Sequence, residues 1–209
     1  MRGPIERLSA SSKYHNSNAS GLIMVGSYAP VHNGHFDAMR SAERCLLATG
    51  GDVGGNVFAP NSDSYVLKKL DDEDGIWNFN RRVSEFVSRN SGTESSSYVD
   101  DITGVIPPEK SISESVIDTV SDKLGIKACS LVLVVGTDQI RSMESHLDTN
   151  KAICVLRPGY ELKLREVAKD DWFLDAISTE RLLLTSRENA KVDISSTLIR
   201  RGLEGVAND

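Results

Sequence analysis

The run SLVLVV at residues 130–135 limits the possible folds of this chain more than any other segment. A strand with one wet face alternates apolar and polar residues, but here five apolar residues follow one another, so both faces need cover. Parallel sheets are covered on both faces, because their crossover connections are helices, and their strands read as such runs. Further strands are expected at residues 22–25, 56–59, 98–102, 152–156 and 182–185. Helical spacing appears at 35–48 (Phe36, Met39, Ala42, Cys45, Leu46), at 78–89 (Phe79, Val83, Phe86, Val87) and at 113–124 (Val116, Ile117, Val120, Leu124). Strands alternating with helices predict an α/β fold built on a doubly wound, Rossmann-like parallel sheet. The segment NSDSYVLKK, residues 61–69, is expected to be a polar loop just past a strand's C-terminal end, where open parallel sheets bind ligands.

A length of 209 residues fits one such domain. Residues 1–20 are polar and rich in Ser and Asn, which predicts a disordered tail before a single domain at 21–209. The formal net charge of −6 argues against nonspecific nucleic-acid binding, which needs a basic surface. Cys45, Cys129 and Cys154 are scattered and form no CxxC pair, so neither a disulfide framework nor a zinc site is expected. No apolar stretch approaches the ~20 residues that span a bilayer. A cytoplasmic protein without membrane or nucleic-acid partners is therefore expected, with nuclear or organellar placement and homo-oligomerisation left open.

Chemistry concentrates in GSYAPVHNGH, residues 26–35, where a strand hands over to a helix. The first N–H groups of that helix lack intrahelical partners and favour an anion. Gly26 allows close approach of a ligand to the backbone, Pro30 stiffens the turn, and Gly34 clears space beside His35. His32 and His35 can then both face a bound phosphate, where negative charge favours their protonated form. No serine or cysteine nucleophile stands beside them, so the pair reads as an electrostatic clamp. Near the C-terminus DISSTLIRRGL, residues 193–203, offers a second helix start. Ser195, Ser196 or Thr197 can cap it, and Arg200 lies one turn in, able to fork onto phosphate oxygens.

HxGH resembles the phosphate-binding signature of the nucleotidyltransferase superfamily, shared with class I aminoacyl-tRNA synthetases. The order GSYAPVHNGH, a lysine-bearing segment, GTDQI (136–140), RPGYE (157–161) and ISSTLIRR is similar to the adenylyltransferases of NAD biosynthesis, over about residues 22–203. That resemblance implies a nucleotidyltransferase fold and a reaction of ATP with nicotinamide or nicotinate mononucleotide, releasing pyrophosphate. It implies that Gly26, Ser27, Gly34, His32 and His35 hold the ATP phosphates, with Ser195, Ser196, Thr197 and Arg200 opposite. Gly136 and Asp138 would meet a nucleotide sugar. Tyr28, Lys68 or Lys69, Arg81 or Arg82, and Arg157 would contact the mononucleotide. Catalysis would rest on His32, His35 and Arg200, with Mg²⁺ carried by ATP and water, since no carboxylate cluster offers a dedicated cage.

The chain departs from that family at several points. Ala29 replaces the usual Asp or Asn, Tyr28 the usual Phe, and Ser115 and Val116 an expected Tyr-Thr pair. The tryptophans expected after GTDQI are absent; Trp77 and Trp172 lie elsewhere. A phosphopantetheine adenylyltransferase, a cytidylyltransferase and a nucleotide sensor without turnover remain alternatives at this stage. A class I tRNA synthetase is disfavoured by length, acidity and the lack of a KMSKS-like element.

Overall fold

A computed structural model describes residues 19–70, 76–90, 97–99, 117–122, 127 and 130–185. β1 (Ala19–Gly26) leads into α1 (Asn33–Ala48), followed by β2 (Asp52–Pro60), α2 (Asp63–Leu70), α3 (Phe79–Asn90) and β3 (Ser97–Val99). Residues 117–122 are helical. After β4 (Leu131–Gly136), a 3-10 helix (Thr137–Met143) runs into α4 (Glu144–Leu147). β5 (Lys151–Val155), α5 (Glu161–Val167), α6 (Asp171–Ser178) and β6 (Leu182–Leu184) complete the order.

The six strands pair in the order β3-β2-β1-β4-β5-β6, and every pair is parallel. This is the doubly wound order whose direction of winding reverses between the first and fourth strands. Ligands in such sheets bind beyond the C-terminal ends of the strands at that reversal. Here those ends carry Gly26 and Gly136.

β4 has no wet face, as its sequence requires. Leu131, Leu133 and Val135 join Ile23, Val57 and Ala59 beneath the 117–122 helix and the helical segments that follow β4 and β5. Val132 and Val134 join Leu22, Met24 and Phe58 beneath α1 and α3. Truncating a side chain such as Leu133 to alanine would cost about 2–5 kcal/mol. α1 forms because Met39, Ala42 and Leu46 recur on one face and pack on the sheet, and it ends at Thr49 before Gly50, whose φ of 81° suits only glycine well.

Three expectations need correction. Residues 61–69 are largely helical: Ser62 Oγ accepts the Tyr65 N–H at 3.3 Å as an N-cap, and α2 buries Val66. β1 begins at Ala19, inside the segment expected to be a tail. α5 and α6, absent from the sequence reading, cover the sheet with Val167, Phe173 and Ala176. Cys45 is half-buried and Cys154 buried, both as free thiols, and burial pushes the Cys154 thiol up to about 12. Cys129, Ser115 and Val116 lie outside the described residues.

Candidate active site

The segment between β1 and α1 is fixed from four directions. Asn61 donates its backbone N–H to the Gly26 carbonyl at 2.8 Å, and Arg82 Nη1 donates to the Ser27 carbonyl at 2.9 Å. Glu85 accepts the Val31 N–H at 3.4 Å, and the Tyr28 hydroxyl donates to the Met24 carbonyl at 2.6 Å. Tyr28 adopts a φ of 49°, and the Ala29–Pro30 bond is cis. Gly26 permits this path: a Cβ there would lie 3.0 Å from the Tyr28 ring.

His32 is the extended residue that precedes α1, and His35 sits in the first turn. Their rings stack with centroids 3.7 Å apart and an interplanar angle of 28°. His35 Nδ1 accepts the His32 backbone N–H at 3.2 Å, which places the ring proton of neutral His35 on Nε2. The Tyr28 ring meets His35 edge-on, with centroids 4.8 Å apart. His32 is buried, and among the described residues its Nδ1 has no hydrogen-bond partner.

Both histidines are neutral near pH 7 in the free protein. Burial, then Arg157, then Arg89 lower the His32 pKa to about 4. Burial, followed by His32 and Arg157, holds His35 well below the usual histidine value. The protonated pair expected against phosphate is therefore not the resting state, because desolvation and two arginines outweigh any gain from charge in the absence of an anion.

Arg157 enters from the end of β5. Its Nη1 pairs with Asp138 Oδ1 at 3.3 Å, and its backbone N–H donates to Thr137 Oγ1 at 3.0 Å. Asp138 thus faces Arg157 and does not cap the 3-10 helix. Gly136 leaves room for this pair: a Cβ would come within 2.5 Å of Asp138 Oδ1 and 3.3 Å of Arg157 Cδ, so the pair would have to shift. Beside this pair lies a cleft of about 180 Å³, lined by Thr137, Leu156, Arg157, Pro158, Tyr160, Glu161 and Leu164.

On the opposite flank, Lys69 Nζ donates to Ser27 Oγ at 3.4 Å, while Lys68 is exposed. Of the neighbouring arginines Arg81 and Arg82 on α3, Arg82 is the one tied to the backbone between β1 and α1. Arg81, expected to contact the mononucleotide, lies over Trp77 at 4.4 Å and pairs with Glu85 at 3.4 Å. Tyr28, also expected as a substrate contact, is buried beneath the loop and supports His35. Gly34 occupies the first turn of α1 between the two histidines. Ser195, Ser196, Thr197 and Arg200 lie outside the described residues.

Sequence reasoning missed the contributions of Asp63, Glu85 and Arg89. Only helical spacing linked the last two, and it gave no sign that this side of α3 faces the loop. Among the described residues no three His, Cys, Asp or Glu side chains gather into a metal cage, and no helix is long and apolar enough to cross a membrane. A family model described as cytidylyltransferase-like matches residues 23–202. No curated protein matches the chain.

Proposed function

The chain belongs to the cytidylyltransferase-like family of nucleotidyltransferases, and from that premise we propose that it is an adenylyltransferase joining ATP to nicotinamide or nicotinate mononucleotide. The observation that carries the reading is the stacked His32–His35 pair at the sheet's reversal point, with Lys69 on one flank and Arg157 on the other. The choice of the pyridine-nucleotide branch rests on the resemblance of SDSYVLKK, GTDQI, RPGYE and ISSTLIRR to that family. Residues 21–209 are read as one domain.

In this mechanism the mononucleotide phosphate attacks the α-phosphorus of ATP, a bond forms from its oxygen, and pyrophosphate leaves. The attacking oxygen is already anionic, so neither a protein nucleophile nor a general base is required. What the protein supplies is position and neutralisation of developing charge. His35 offers Nε2–H from a ring fixed by its Nδ1 bond and by Tyr28. Lys69 and Ser27 lie where the mononucleotide phosphate approaches, and Asp138 offers a carboxylate to ribose hydroxyls. Ser196 and Arg200 close the phosphate site in the same reading. Magnesium enters with ATP as part of the substrate.

Pyrophosphate release tests the assignment. The protein is offered ATP or CTP in combination with nicotinamide mononucleotide, nicotinate mononucleotide or phosphopantetheine. Release with ATP and either pyridine mononucleotide is expected. Release only with CTP, or only with phosphopantetheine, replaces this reading with another branch of the family; ATP binding without release under any condition replaces it with a sensor.

A further inference from the structure

The two histidines share a stack but not an environment. His35 Nδ1 is committed as an acceptor to the His32 main chain, and a proton there would set two donors against each other. Tyr28 closes the other side of that ring. His32, by contrast, is buried with an Nδ1 that makes no hydrogen bond among the described residues. A buried nitrogen left without a partner is costly and calls for an explanation. Two imidazolium rings 3.7 Å apart would also repel, so the stack accommodates one charge more readily than two.

We propose that the pair divides the work: His35 stays a neutral donor through Nε2, and His32 alone takes a proton from solvent when polyphosphate binds, becoming the charged member of the site. This rests on the nucleotidyltransferase reading. Arg157 reaches His32 from the end of β5 and Arg89 from α3, and both oppose its protonation while the site holds no anion. A polyphosphate neutralises those same two cations and adds negative charge of its own, so both charge influences on His32 reverse together and work against the burial that otherwise keeps it neutral. Among the described residues, the carboxylate that bonds this part of the loop, Glu85, is engaged by the Val31 N–H and by Arg81. Protonated on both nitrogens, His32 has a donor at Nδ1 for a phosphate oxygen.

The first consequence is proton uptake. Calorimetric titration of the intact protein with ATP and Mg²⁺ at about pH 7, in buffers of different ionisation heat, should show close to one proton more taken up by wild type than by His32→Gln. His35→Gln should retain that uptake while binding more weakly. Imidazole ¹⁵N resonances of the unmutated protein give a second readout: the His32 pair should move to the imidazolium pattern with ATP, while His35 keeps the neutral Nε2–H pattern. Uptake unchanged in His32→Gln, or an imidazolium signature on His35 or on neither ring, overturns the division. If ATP fails to bind the wild-type protein, the nucleotidyltransferase reading fails first and the division falls with it.

Discussion

The fully buried guanidinium of Arg82 donates through Nη2 to Asp63 Oδ1 at 2.8 Å. Through Nη1 the same group holds the Ser27 carbonyl, so one side chain ties the first residue of α2 to the segment between β1 and α1. Asp63→Ala would leave a buried arginine short of its counter-charge. Because Asp63 is half-exposed, water replaces part of what is lost, and a stability loss of about 1–2 kcal/mol is expected in urea unfolding. Arg82→Met keeps most of the volume but frees Ser27, so ATP affinity should fall several-fold. Unaltered ATP affinity in Arg82→Met would show that the loop holds its shape without this anchor.

Stability in the free protein should decline in mild acid. The folded pKa of His32, about 4, lies below the unfolded value near 6.5, so between these limits the unfolded chain binds more protons than the native one. The contribution of a neutral buried His32 is thus complete above about pH 6.5 and is lost as pH falls toward 4, a change on the order of 3 kcal/mol. His35 is shifted the same way and steepens the trend. Urea midpoints measured across this range check it: wild type should lose stability faster than His32→Gln. Parallel curves would remove His32 as the cause.

How much of this could be read from the sequence depends on whether a feature is local. β4 announces itself because Leu131 to Val135 are all apolar, and the parallel pairing of the sheet follows from strands alternating with helices. α2 was misread because Asn61, Ser62, Asp63 and Ser64 have turn-like composition, although Ser62 was also a usable N-cap. The roles of Arg81 and Arg82 could not be separated from sequence, since neighbours on a helix point about 100° apart and only packing decides which one faces in. Arg82 faces the loop and is wholly buried; Arg81 faces Trp77. The neutrality of the histidines was equally hidden, because it depends first on burial and then on Arg157, from just beyond β5, and for His32 also on Arg89 from α3.

His35→Ala removes the Nε2–H donor and the acceptor of the His32 N–H together. Loss of one fixed donor to developing phosphoryl charge should lower turnover by about 10²-fold or more. The lost capping bond should cost about 1 kcal/mol, too little to unfold the domain. The two effects are separable by single-turnover rates beside a thermal melt. Near-wild-type turnover in a folded variant would remove His35 from the reaction.

Gly136→Ala tests the far side of the site. The added methyl carbon would stand 2.5 Å from Asp138 Oδ1, nearer than van der Waals contact allows, and 3.3 Å from Arg157 Cδ. The element with room to yield is the Asp138 carboxylate, which is partly exposed at the end of a short side chain. β4 itself, paired on both sides and buried, has none. The substitution should therefore leave the unfolding midpoint close to wild type while parting Asp138 from Arg157. If that carboxylate meets a ribose, the affinity for ATP should fall about tenfold, the scale of one charged hydrogen bond, and the affinity for inorganic pyrophosphate should not change. Equal losses for both ligands would mean that moving Arg157, and not Asp138, dominates, and would assign this flank to phosphate alone.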